Sequence, residues 1–121
     1  MTTRPRREHN FIGTTGNKQG VVRGDDFQIT ARAFDEEGNE LDLTDHDDIR
    51  FVVERAEKDK VMVEKQLGSG IELDEDNNHV AFISLSGDDT DLPRRCYRHR
   101  FTITSSEHGD NTILFGDIEI L

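Results

Sequence analysis

Four arginines lie within seven residues of an otherwise acidic chain, at positions 94, 95, 98 and 100. Arginine carries a planar guanidinium group with several N–H donors, which binds carboxylates and phosphates through paired hydrogen bonds. A cluster of this kind is compatible with a binding patch, a catalytic cluster or charge pairs on the face of a β-sheet. Which of these three interpretations applies depends on the strands and loops that position the four side chains.

Two of these arginines are predicted to lie on a half-buried β-strand. Alternate residues of the segment 96–104 form its apolar face: Tyr97, His99, Phe101 and Ile103. Arg98 and Arg100 then occupy the opposite, solvent-facing side. The next predicted strand carries Asp117 and Glu119 on its polar side, and consecutive strands usually pair as a hairpin. We therefore expect Arg98 and Arg100 to lie beside Asp117 and Glu119 as cross-strand ion pairs.

The remaining arginines have no such explanation. Arg94 and Arg95 lie where the strand begins, and Arg4, Arg6 and Arg7 lie near the amino terminus. Both groups are candidates for contact with an acidic partner surface, with solvated loop charges as the alternative for the first group. The amino-terminal group can lie on its own acidic body or bind a neighbouring copy through Arg–carboxylate bonds. A tail without a role is the alternative.

Motifs that indicate catalysis are missing from the sequence. There is no glycine-rich phosphate-binding loop and no serine in a nucleophile-elbow context, and the single cysteine, Cys96, falls in the middle of a predicted strand. The five histidines show no metal-binding spacing, and His99 falls on the apolar face, as a core histidine would. A hydrolase would rest on the abundance of carboxylates alone. We expect no enzymatic activity and no cofactor.

Three acidic clusters raise the question of calcium, which takes six to eight oxygen ligands from flexible loops. The clusters lie in the segments 42–48, 74–78 and 88–91. Aspartate and asparagine also accept hydrogen bonds from their own backbone in turns. We interpret the three clusters as turns, with a calcium site as the alternative.

Length and charge limit the class of protein. A chain of 121 residues suits one domain, and we assign residues 1–10 to an extended arm and 11–121 to that domain. The formal net charge of −11 opposes nucleic-acid binding, because phosphates attract basic surfaces. No segment approaches the ~20 apolar residues of a membrane span. We therefore expect neither nucleic acid nor membrane as a partner.

The acidic excess has a particular composition, with 15 Asp and 11 Glu against 11 Arg and only 4 Lys. A high-salt cytoplasm tends to favour such a composition, because salt screens the repulsion among the acidic groups. A halophilic source is therefore one interpretation. The alternative is a mesophilic acidic domain that its charge keeps soluble.

A period of two dominates the hydrophobic pattern. The segments 27–34, 49–55 and 96–104 alternate apolar and polar residues, and turn signals separate them from shorter segments of the same kind. One helical turn is expected at 88–93, before Pro93 ends it. The sequence predicts an all-β domain, an antiparallel sandwich or barrel of about seven or eight short strands.

The order of several short motifs resembles the immunoglobulin-like β-sandwich domains of tailed-virus virion proteins, such as the amino-terminal domain of a baseplate upper protein. The motif residues are Asp42, Leu43, Thr44, Leu85, Ser86, Asp89, Thr90, Tyr97, Thr112, Gly116, Ile118 and Ile120. Asp45 stands where that family usually has glycine. The resemblance covers roughly residues 20 to 121, and its motifs are short and structural.

The resemblance implies an antiparallel immunoglobulin-like β-sandwich without catalytic residues, and a role in binding or assembly on a virus particle. We therefore expect a non-enzymatic virion protein of a tailed virus, in the tail, baseplate or neck or decorating the capsid. Its expected partners are other virion proteins and copies of itself, with assembly in the host cytoplasm. A ligand- or carbohydrate-binding module is the alternative, although carbohydrate platforms usually use exposed aromatics and the chain has no Trp and one Tyr.

Overall fold

The computed structural model describes residues 5–12, 20–55 and 60–121. The regular secondary structure of these residues is almost entirely β, in eight strands: β1 (Glu8–Ile12), β2 (Phe27–Arg32), β3 (Asp48–Arg55), β4 (Lys60–Leu67), β5 (Gly70–Leu73), β6 (Val80–Leu85), β7 (Arg95–Ser105) and β8 (Gly109–Ile120). One helical turn, α1 (Gly87–Thr90), and one 3-10 turn at Leu43–Asp45 are the helical elements described. The predicted all-β class is confirmed.

The strands follow one hydrogen-bonded order, β1-β8-β7-β3-β4-β5-β6-β2. Neighbouring strands are antiparallel except for β1 with β8 and β4 with β5, which are parallel. The mostly antiparallel character expected from the period of two is therefore confirmed. Because the eight strands form a single sheet, the finer prediction of an immunoglobulin-like sandwich stays a prediction.

The sheet curls until its two ends meet at one corner, so its shape is nearly that of a barrel. The Arg6 backbone N–H donates to the Phe34 carbonyl oxygen at 2.8 Å, and Pro5 forms an antiparallel bridge with Asp35. These contacts join the chain before β1 to the chain after β2. The domain boundary predicted at residue 10 falls inside β1, which pairs with β8 along its whole length.

Alternation along the strands places the core. In β3 and β7 the residues predicted to face inward are buried: Ile49, Phe51, Val53, Tyr97, His99, Phe101 and Ile103. The alternation is interrupted in β8, because a β-bulge opposite Phe101 and Thr102 inserts one extra residue, Ile113. Ile113 is buried, and the next residue, Leu114, is partly buried and packs against the core.

Several motif residues of the resemblance hold turns together. Ser86 and Asp89 form a reciprocal capping box at the start of α1, an arrangement that satisfies otherwise unpaired N–H groups of a helical turn. The Thr90 hydroxyl donates to the Asp25 carbonyl oxygen at 2.7 Å, and the Tyr97 hydroxyl donates to the Pro93 carbonyl oxygen at 2.8 Å. The helical turn expected between residues 88 and 93 is confirmed as α1.

Candidate interaction surfaces

The outer faces of β3, β7 and β8 form a groove of about 780 Å3, which we call the arginine groove. Its charged residues are Arg7, Glu54, Arg98, Arg100 and Asp117. The polar face predicted for β7 supplies two of the three arginines. Bulges in the β3–β4 and β7–β8 pairs flank the groove, and bulges bend and twist the strands that contain them.

Glu54 fixes two of the guanidinium groups. Although Glu54 lies on the outer face, it is only 7% exposed. Arg100 Nε lies 3.2 Å from Glu54 Oε1, and Arg98 Nη2 lies 3.7 Å from the same oxygen. A carboxylate removed from water is costly unless it is paired. The two arginines supply that pairing and are in turn held in place by Glu54.

The predicted position of Arg98 beside Asp117 agrees with the register of β7 and β8, whereas the predicted position of Arg100 beside Glu119 is wrong. Arg98 lies directly opposite Asp117, but Arg100 lies opposite Phe115, and Glu119 lies opposite Cys96. In an antiparallel pair, two residues forward on β7 correspond to two residues back on β8. Arg98 and Arg100 therefore do not face Asp117 and Glu119 together, and Arg100 reaches across to β3 instead.

Arg7 contributes the third guanidinium group from the chain just before β1. Its Nε donates to the Thr112 carbonyl oxygen at 3.2 Å, and its guanidinium carbon lies 5.8 Å from the centre of the Phe115 ring. The second contact is a cation–π interaction. Val61 on β4, which is 45% exposed, adds an apolar side chain to the lining of the groove.

A second surface, which we call the acidic end, consists of the β2–β3, β5–β6 and β7–β8 connections. Backbone hydrogen bonds hold them together at one end of the barrel, from Leu43 N to Asn78 O and from Asp47 N to Thr104 O. These connections contain no lysine or arginine. Their acidic residues are Asp35, Glu36, Glu37, Glu40, Asp42, Asp45, Asp47, Asp74, Glu75, Asp76 and Glu107.

The three acidic clusters considered for calcium form turns, as interpreted. Asp42 Oδ1 accepts from the Thr44 N–H at 2.9 Å, and Asp74 Oδ1 accepts from the Asp76 N–H at 2.9 Å. In the third cluster, the Asp89 carboxylate accepts from the Ser86 N–H. Within residues 5–12, 20–55 and 60–121, no group of three or more His, Cys, Asp or Glu side chains is arranged to hold a metal ion.

At the opposite end of the barrel, which we call the α1 end, carboxylates join separate segments. Lys65 Nζ lies 2.7 Å from Asp89 Oδ2, and both side chains are 20% exposed. Burial acts to raise the pKa of Asp89, but the hydrogen bonds from Lys65 and Ser86 hold that pKa below its ordinary value of 3.8. The ionised form of Asp89 is therefore favoured by folding.

The arginines predicted to contact a partner do not form one cluster. Arg4 lies outside the described residues, and Arg6 contacts its own chain, with Nη2 2.6 Å from Glu8 Oε1 and its guanidinium carbon 5.0 Å from the centre of the Phe34 ring. Arg7 belongs to the arginine groove. Arg94 and Arg95 are exposed at the α1 end, where Arg95 lies opposite Ile120.

Glu54 is the groove residue that sequence reasoning missed. The sequence feature that could have identified it is an acidic residue within a mostly apolar stretch of the strand, between Val53 and Arg55.

Cys96 lies at the surface. The part of its thiol that is removed from water, together with the carboxylates of Asp117 and Glu119, raises the pKa of that thiol. A raised pKa disfavours the reactive thiolate.

Comparisons of the chain with protein-family models, with curated proteins and with solved structures find no match. No helix in the described part of the chain has the length and apolar character needed to cross a membrane.

Proposed function

We propose that this chain is a non-enzymatic structural or assembly protein of a tailed-virus particle. It acts through protein–protein contacts, in the tail, baseplate or neck or on the capsid surface, and its strands follow an immunoglobulin-like arrangement. The motif residues behind this proposal support it through their structural roles. Leu43 is 1% exposed, and Ser86 and Tyr97 hold turns.

The observation that carries the proposal is the separation of charge between the acidic end and the arginine groove. Charged surfaces of this kind guide protein association, because complementary potentials increase the rate and the specificity of binding. The groove is built on paired strands, so its side chains are held by a rigid scaffold. Such an arrangement suits a protein that binds other proteins in a fixed orientation.

The chemistry of the groove also favours recognition. Arginine stays protonated in proteins and does not exchange protons near neutral pH. Glu54, the groove's most buried carboxylate, is paired with Arg98 and Arg100. The groove therefore offers charge and hydrogen bonds to a partner.

Mass spectrometry of virus particles from the source that encodes this chain tests the proposal. Particles would be purified by density gradient and washed in high salt before digestion. We expect peptides of the chain to follow the major structural proteins through the gradient at a fixed ratio. Peptides present in the cell lysate and absent from the particles would contradict the proposal.

A ligand-binding module is the second candidate, and the volume of the arginine groove favours it. Small-molecule sites typically measure about 300–1,000 Å3, and the groove, at about 780 Å3, combines guanidinium groups with Phe115. This chemistry suits a ligand that carries a carboxylate, such as an acidic sugar. Thermal-shift measurements with uronic acids would test it, and the change Arg100→Ala should abolish any stabilisation.

A further inference from the structure

We infer that the arginine groove of one copy of this chain binds the acidic end of a second copy. This inference deepens the proposed function by naming a partner, and it rests on the claim that the domain acts through protein–protein contacts. The contact is made by the tip of the β2–β3 connection, residues 35–39, which we call the acidic tip.

The groove presents guanidinium groups that are already ordered. The side chains of Arg98 and Arg100 are 46% and 48% exposed, and Glu54 holds both of them. Arg100 contacts Glu54 through Nε, so that contact leaves its two terminal nitrogens able to bind a carboxylate in a bidentate manner. Side chains held in place before binding lose less conformational entropy when a partner arrives.

The acidic tip is an ordered turn that carries adjacent carboxylates. Phe34 and Glu40 form an antiparallel bridge at its base. Asp35 Oδ1 accepts hydrogen bonds from the N–H groups of Glu37 and Asn39, each at 2.9 Å. Glu36 and Glu37 are exposed on this turn. A narrow turn with two neighbouring carboxylates matches a groove with several guanidinium groups.

The charge balance favours carboxylates over a polyanion as the occupant. Three arginines face two carboxylates in the groove, so its net positive charge is small. Nucleic acid requires a broad basic surface, and the chain carries a net charge of −11. A few carboxylates on a protein turn need only a local positive site, and a second copy of the chain supplies such a turn.

The groove and the acidic tip are different surfaces, so the contact between copies is heterologous. The tip lies beside Pro5 at the acidic end, whereas the groove lies on the outer face of β3, β7 and β8. Heterologous contacts produce closed rings or open filaments. Each copy in such an assembly uses its groove for one neighbour and its tip for the other.

Sedimentation velocity of the full chain over a range of protein concentrations tests the inference. The measurement uses moderate salt, because at about 0.15 M the screening length is ~8 Å and distant repulsion between copies is reduced while contacts at close range persist. The groove variant carries Arg98→Gln and Arg100→Gln, and the tip variant carries Glu36→Gln and Glu37→Gln. The control variant, Glu75→Gln with Asp76→Asn, removes the same charge from another turn of the acidic end.

We expect the wild-type chain and the control variant to form species larger than dimers as concentration rises. The groove variant and the tip variant should each associate at least tenfold more weakly, with circular dichroism showing that both are folded. A mixture of these two variants should form a one-to-one complex, because one retains an intact tip and the other an intact groove.

Two results would overturn the inference: a wild-type chain that stays monomeric throughout, or a tip variant that assembles as well as the control. These outcomes are independent of the particle measurement. A monomeric chain found in purified particles would reject self-assembly and leave the proposed function standing. A self-assembling chain absent from particles would do the reverse.

Discussion

Carboxylates at the two ends of the barrel make different kinds of contact. At the acidic end they accept hydrogen bonds from backbone N–H groups two to four residues away, as Asp35, Asp42 and Asp74 do. At the α1 end carboxylates also bind groups far along the chain. Asp26 accepts from Gly87 N–H, 61 residues along the chain, and Asp91 pairs with Arg23, 68 residues away.

Aspartate therefore has two roles in this fold: it stabilises local turns, and it joins segments that are far apart in the chain. A hydrogen bond within a turn forms from local chain geometry, so residual turns in the unfolded chain can retain part of it. A contact between distant segments forms only when the chain folds. The acidic end can therefore lose charge with little loss of stability, whereas the α1 end depends on its carboxylates.

The largest effect is expected from Asp89→Ala. This change removes the capping box of α1 and leaves Lys65 partly buried without its carboxylate. Loss of a cap costs about 1 kcal/mol, and the unpaired Lys65 adds to that cost, so we expect the free energy of unfolding to fall by about 2 kcal/mol. Urea denaturation followed by circular dichroism measures it.

The matched control for this change is Asp76→Ala at the acidic end. Asp76 is exposed in the β5–β6 turn, where its backbone N–H, not its side chain, bonds to Asp74. We expect less than about 0.5 kcal/mol of destabilisation, as for most surface substitutions. Equal losses in the two variants would contradict the assignment of different roles to the two ends.

The fold was largely predictable from the sequence where side-chain alternation is strong. The inner faces of β3 and β7 follow directly from a period of two. The pairing of β1 was not predictable, because its partner, β8, lies more than 100 residues away along the chain. The burial of Ile113 was not predictable either, since a bulge breaks the alternation in a way that composition does not reveal.

The candidate site was predictable only in part. The outward direction of Arg98 and Arg100 follows from the alternation in β7. Their partner Glu54 does not, because it depends on β3 lying next to β7, and strand order cannot be derived from local patterns. Arg94, by contrast, is close to Arg98 in sequence and yet lies outside the groove lining.

A smaller effect is expected in the pH dependence of stability, which tests the role of Asp89 at the α1 end. The pKa of Asp89 is depressed in the folded state below its ordinary value of 3.8, so its ionised form contributes stability in full above that ordinary value. That contribution is lost as pH falls through this value toward the lower folded pKa. We expect the free energy of unfolding of the wild type to exceed that of Asp89→Asn by about 1 kcal/mol at pH 7. This difference should shrink below about pH 4.

Urea titrations of both proteins at about pH 7, 5, 4 and 3 measure this difference, because these values bracket the ordinary pKa of a carboxyl group. The variant Asp76→Asn serves as the control, and its difference from wild type should change little over the same range. A wild-type advantage over Asp89→Asn that stayed constant down to the lowest pH would show that the Lys65 pair does not stabilise the ionised carboxylate.

The smallest effect concerns salt and the acidic end. Repulsion among its carboxylates destabilises the folded chain, and added salt screens that repulsion. We expect the melting temperature to rise from low to molar KCl, as it would in a protein from a halophilic source.

A variant with Glu36, Glu37 and Glu40 changed to glutamine has fewer repelling groups. The gain in its free energy of unfolding over the same range of salt should therefore be smaller than the gain of the wild type by about 0.5 kcal/mol. Changing Asp26 to Asn at the α1 end should not reduce the salt response in this way, because that carboxylate binds the Gly87 N–H. A melting temperature of the wild-type chain that is flat or falling with KCl would reject the halophilic interpretation and leave the fold unaffected.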